Sequence, residues 1–117
     1  MKNILLVALG GFFGAVSRYV ISRKWNGHKS KIPFGTLTVN LLGSFLLGIL
    51  IGKNIGGAVY ALFGIGFMGA FTTFSTLKSE ILQLFEQKET IKAVFYLAIT
   101  YIGGITAGFL GLLLGRL

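Results

Sequence analysis

The sequence predicts an all-α membrane protein of four transmembrane helices, and three observations carry that expectation. Hydrophobic residues fill 54% of the 117 positions, only 12% are charged, and the mean hydropathy is +0.82. The apolar residues gather into four runs near the ~20 residues needed to cross ~30 Å of hydrocarbon. The polar remainder is too short for a soluble domain, so a single transmembrane domain over residues 1–117, multi-pass in the plasma membrane, is expected.

The first span, about 3–21, follows Met1-Lys2 and has the basic start of a secretory leader. Its apolar run continues past Ala15 to Tyr19-Val20-Ile21, beyond the roughly 7–15 residues of a leader's core, and three more spans follow, so a transmembrane helix is the better reading. The second, about 32–52, places Thr36, Asn40 and Ser44 four residues apart on one helical face. An amide near the middle of a span must bond a neighbouring helix or line a wet cavity.

The third span, about 55–77, contains Gly69-Ala70-Phe71-Thr72-Thr73-Phe74-Ser75-Thr76-Leu77, with hydroxyls and a glycine where plain hydrocarbon would suffice. Such a stretch is tolerable in a bilayer only where it is buried in protein or lines a wet path, because unpaired backbone groups cost several kcal/mol each. The connection from Lys78 to Lys92 reads as a helical extension with Ile81, Leu82, Leu84 and Phe85 on one side. The fourth span, about 93–115, carries Thr100, Tyr101 and Thr106, whose hydroxyls can bond carbonyls of their own helix.

Small residues recur at helical spacing in every span: Gly10 with Gly14, Gly11 with Ala15, Ser44 with Gly48 and Gly52, Gly66 with Ala70, and Gly104, Gly108, Gly111 and Gly115. They let helix backbones approach closely where lipid supplies no hydrophobic drive. So many close-approach faces in so small a bundle predict an oligomer.

The formal charge of +8 is spread over the membrane flanks and serves topology rather than nucleic acid. Lys2, Lys53 and Arg116 fall on the side of the termini; Arg18, Arg23, Lys24, Lys29, Lys31, Lys78, Lys88 and Lys92 fall on the other, a bias of eight to three. The positive-inside rule then puts the termini outside.

The acids exclude more than they suggest. Glu80, Glu86 and Glu89 all sit in or near the connection between the third and fourth spans, so no span carries the carboxylate that proton-coupled carriers need. His28 is the only histidine and there is no cysteine, which removes metal clusters, disulfides and acid–base catalysis. An enzyme is not expected. Helix-breaking in the third span would free main-chain carbonyls for a hard cation, whereas hydroxyls, the Asn40 amide and phenyl ring edges suit an anion.

Three segments carry a family resemblance: Gly10-Gly11-Phe12-Phe13-Gly14-Ala15-Val16-Ser17-Arg18-Tyr19, Gly35-Thr36-Leu37-Thr38-Val39-Asn40-Leu41-Leu42-Gly43-Ser44-Phe45, and Gly66-Phe67-Met68-Gly69-Ala70-Phe71-Thr72-Thr73-Phe74-Ser75-Thr76. In order, length and span count the chain resembles the Fluc-type (CrcB-like) fluoride ion channels. The resemblance implies a passive fluoride-selective channel exporting cytoplasmic fluoride, a third helix broken near its middle, and an antiparallel dimer with two pores. It implies a structural, untransported sodium ion at the dimer axis, held by the main-chain carbonyls of Gly69 and Thr72 from each subunit. By position it assigns Asn40 and Phe74 to the fluoride pore, Ser75 and Thr76 to a hydroxyl track beside it, and Arg18 to the pore mouth. Thr36 joins the pore set through its shared face with Asn40.

The chain departs from the family pattern twice. Leu77 stands where a second pore phenylalanine is usual, and the fourth span's polar pair falls on Gly104 and Gly108 in an ungapped match. With the charge bias, these departures suggest a partner that is either a second copy or a related inverted subunit. Two other classes remain as alternatives. A small four-helix multidrug exporter requires a glutamate in the first span, which has none. A non-transporting assembly subunit leaves Asn40 and the Thr72–Thr76 hydroxyls without a purpose.

Overall fold

The computed structural model describes residues 2–25, 33–72 and 74–117 of the chain. The side chains of Lys2, Trp25 and Phe74 lie outside that description, as do His28 and Lys29 of the first connection. All regular structure among the described residues is helical: α1 (Lys2–Trp25), α2 (Phe34–Gly52), α3 (Gly57–Val59), a π-helical segment (Tyr60–Met68), α4 (Gly69–Phe71), α5 (Phe74–Glu86) and α6 (Thr90–Arg116).

Among the described residues, four helical runs are long and apolar enough to cross a membrane: Asn3–Lys24, Phe34–Gly52, Gly57–Glu86 and Thr90–Arg116. The third extends beyond the apolar stretch because α5 is amphipathic. Leu77, Glu80, Ile81 and Leu84 form one stripe at helical spacing, and Leu77 and Leu84 pack with Leu37, Ala93 and Tyr96 as a core cluster. A second cluster joins Val39 of α2 to Met68 and Phe71 of the third span.

The helices associate in two tight pairs that alternate along the chain. The first run packs mainly on the π-helical segment and α4, and α2 packs mainly on α6. Glycines set both seams. A Cβ on Gly10 would collide with the carbonyl of Leu62, and one on Gly14 with that of Phe67; across the same seam a Cβ on Gly66 would stand 2.6 Å from the Val7 carbonyl. Between α2 and α6, Gly48 lies on the Gly108 carbonyl, Gly52 on that of Leu112 and Gly111 on that of Phe45. Gly115 lies against the Ile49 carbonyl, 2.6 Å from where its Cβ would be.

Most of the small residues that led us to expect an oligomer are thus spent inside the single chain. Gly69 is the contrast: it is exposed, and a Cβ there would meet nothing within 4 Å. Large apolar side chains such as Phe12, Phe13, Ile102, Ile105 and Phe109 are more than half exposed, as lipid-facing or partner-facing surfaces must be.

Candidate functional site

Within the third span, Thr72 departs from helical backbone geometry. Helix α4 ends at Phe71, Thr72 adopts an extended backbone with φ −80° and ψ 154°, and α5 starts at Phe74. Adjacent β-branched threonines favour that conformation, and a threonine hydroxyl can replace part of the lost helical bonding. Thr72 does so: its N–H donates to the Met68 carbonyl at 3.0 Å and its Oγ1 donates to the same oxygen at 2.9 Å. Thr72 packs on α2, where its methyl fills the space that a side chain on Gly43 would need.

Beside this bend lies a cavity of about 530 Å³ walled by α2, the third span and α6. Asn40, Gly43 and Ser44 come from α2, Met68, Gly69 and Thr72 from the third span, Leu77 from α5, and Thr100, Tyr101 and Gly104 from α6. Its polar groups are amide, hydroxyl and main-chain groups. Among the described residues no carboxylate, lysine or arginine lines it. Hydrogen-bond donors without a fixed cation can replace part of an anion's hydration and still release the ion.

The structure therefore brings Asn40, Gly69, Thr72 and Leu77 to one cavity, with Ser44 and Gly104 beside them. Leu77 also belongs to the core, at 4% exposure, so its side chain closes the cavity floor. Other candidates lie elsewhere. Arg18 is half-buried on α1, Ser75 is exposed and Thr76 partly buried on α5, and Gly108 faces the Ser44 main chain at 3.7 Å. None of these four lines the cavity.

The face formed by Thr36, Asn40 and Ser44 divides between two environments. Asn40 and Ser44 line the cavity, while Thr36 is fully buried and its Oγ1 donates to Glu80 Oε2 at 3.1 Å. Tyr96 donates its hydroxyl to the other oxygen, Oε1, at 3.0 Å, and Thr100 donates Oγ1 to the Tyr96 carbonyl at 2.7 Å. A carboxylate accepting at both oxygens ties α2, α5 and α6 together, and the hydroxyl of a cavity-lining threonine is fixed on the same helix turn. Sequence reasoning placed Glu80 in a connection and missed this cluster. The available signal was its spacing, three residues after Leu77 and four before Leu84 on the buried stripe of α5.

These features define a class: a polytopic helical membrane protein whose cavity, among the described residues, is lined by neutral amide, hydroxyl and main-chain groups. The chain matches the family model for "CrcB-like protein, Camphor Resistance (CrcB)" over residues 5–112. It is 55% identical to "Fluoride-specific ion channel FluC 1" of Geobacillus kaustophilus over 113 residues, covering 96% of this chain and 97% of the relative. A "Fluoride-specific ion channel FluC 2" of Bacillus cereus is 48% identical, and a "Fluoride-specific ion channel FluC 1" of Listeria monocytogenes is 44% identical, each with 98% of both chains covered. The chain belongs to the CrcB family and is a multi-pass protein of the cell membrane.

Proposed function

We propose that this chain is the subunit of a passive, fluoride-selective channel that lets cytoplasmic fluoride leave the cell. The observation that carries the reading is its 55% identity, across 96% of its length, to a protein named as a fluoride-specific ion channel. The cavity chemistry agrees with it. Fluoride is small and tightly hydrated, so its passage through hydrocarbon needs close donors in place of water, and Asn40, Ser44 and Thr100 supply amide and hydroxyl groups there. In this reading Asn40, Phe74, Ser75, Thr76, Thr36 and Leu77 serve the pore and Arg18 its mouth. Thr36 acts indirectly, by holding Glu80 and so the base of α5.

The finer architecture belongs to the same proposal: an antiparallel dimer with two pores, the third helix functionally broken at Thr72, and a structural sodium ion at the subunit interface. The donor set suits such an ion. A helix that stops at Phe71 leaves its last carbonyls without intrahelical donors, and main-chain oxygens are what a hard monovalent cation prefers. Gly69, exposed and unobstructed, and Thr72, extended, would hold it, with equivalent carbonyls from the second subunit. Bound there, the ion would supply positive charge that holds two carbonyl-rich bends together.

The purified chain in liposomes, with valinomycin setting the potential, is expected to release fluoride rapidly and chloride not at all. The eight-to-three charge bias favours one specific variant, pairing with a related inverted subunit rather than a second copy. Silence from the folded chain alone, with fluoride release restored by an inverted partner, is the outcome that variant requires. Silence under both conditions would leave a non-transporting subunit.

A further inference from the structure

The fourth span carries a polar group that the family assignment of the site does not use. Tyr101 lies two residues from the middle of the 27-residue helix α6, about 3 Å along its axis, and so near the bilayer centre. Tyrosines of membrane proteins collect instead at the two interfaces, where the hydroxyl reaches water. Among the described residues the Tyr101 hydroxyl has no hydrogen-bond partner, unlike Tyr96, whose hydroxyl is taken by Glu80 five residues earlier on the same helix. Tyr101 is 49% exposed in this chain, and leaving its hydroxyl unpaired in hydrocarbon would cost several kcal/mol, so a group beyond the described residues is expected to satisfy it.

The cavities indicate what that is. Tyr101 lines the 530 Å³ cavity together with Asn40 and Thr100, and it also lines a second cavity of about 160 Å³ between α5 and α6, whose wall includes Lys78. Among the described residues only Leu77 shares both linings with it. Leu77 offers hydrocarbon, so Tyr101 is the sole polar side chain where the two spaces meet. The exposed Lys78 beyond it is a fixed positive charge that would concentrate anions at that end.

We propose that Tyr101 is a further anion-binding residue, its hydroxyl donating to fluoride as the ion passes between the Asn40 cavity and the Lys78-lined space. This rests on the channel reading above and adds a residue and a direction to it. A phenol suits the position: it is neutral, a stronger donor than an aliphatic hydroxyl, and it lines both spaces, whereas Ser44 and Thr100 line only the larger one.

The test is Tyr101→Phe, which removes one oxygen and keeps the ring. Fluoride efflux from liposomes is measured over a range of fluoride concentrations, with dimer fraction read by size exclusion, and wild type assayed alone and with an inverted partner. The expected result is a drop in efflux of tenfold or more at low fluoride, a higher half-saturating concentration, and an unchanged dimer fraction. Undiminished efflux from the variant would overturn the proposal while leaving the channel reading intact. A loss of flux that tracks a loss of dimer would also overturn it, by assigning the hydroxyl to a subunit contact. Wild type without fluoride flux in either assay would remove the channel reading and this one together.

Discussion

The seam between α2 and α6 and the cavity alongside it share those two helices, the cavity adding the third span as a further wall, yet small residues do opposite things in them. Along the seam, Gly48, Gly52, Gly111 and Gly115 each accept a carbonyl of the facing helix into the space a side chain would take. At the cavity, Gly69 and Gly104 meet little or nothing, a Cβ on Gly104 having only Ser44 Oγ at 3.7 Å. The comparison teaches that spacing alone does not assign a glycine its role. What matters is whether a backbone lies opposite.

Breaking the seam should have the largest effect. Gly111→Val would force a branched side chain into the Phe45 carbonyl, and overpacking of this kind costs about 1–3 kcal/mol or more where the backbone cannot yield. Because neighbouring glycines repeat the contact, the expected outcome is no monodisperse protein by size exclusion in detergent. A folded variant would mean that the two helices can separate without loss of the bundle.

Breaking the cavity should spare the fold and remove the activity. Asn40→Asp puts a negative charge among neutral donors, and the expected outcome is a folded protein with fluoride efflux abolished. Retained transport would reduce Asn40 to packing. The smallest effect sharpens the contrast: Gly69→Ala meets open space within the chain and lies at a helical backbone position, so thermal stability of the subunit should hold or rise by up to about 1 kcal/mol. If this glycine faces a second subunit, the same variant lowers the dimer fraction. An unchanged dimer fraction would move the interface away from Gly69.

Hydropathy made four spans legible, because a bilayer enforces length and apolarity more strictly than a soluble core does. The polar residues of the second and third spans stood out as hydroxyls, an amide and a glycine in hydrocarbon, but the sequence assigned Asn40 to a pore and Gly69 and Thr72 to a separate ion, and that all three line one cavity came from the fold. Three-body arrangements were not legible. Nothing in the period of Thr36, Asn40 and Ser44 says that a glutamate 44 residues later will claim the first of them, since helical spacing sorts residues onto a face but not along a neighbour's length. Glu80 itself was hidden by its surroundings: charges at 78, 86, 88 and 89 make the segment read as solvated, and only the apolar stripe of α5 marks the buried side. The glycine seams were legible as capacity for close approach, whereas their partners within the chain are set by which helices pair in the fold.

The alternation of the two helix pairs has a consequence for biosynthesis. Because the first span finds its main partner in the third, and the second in the fourth, no pair of successive spans leaves the translocon as a finished hairpin. The second span, with its glycines uncovered, must wait in the bilayer until the last helix is inserted. A nascent chain stalled before α6 would expose carbonyl-accepting grooves to any passing helix, so the 27-residue α6 acts as the clasp that ends a period of promiscuity during synthesis.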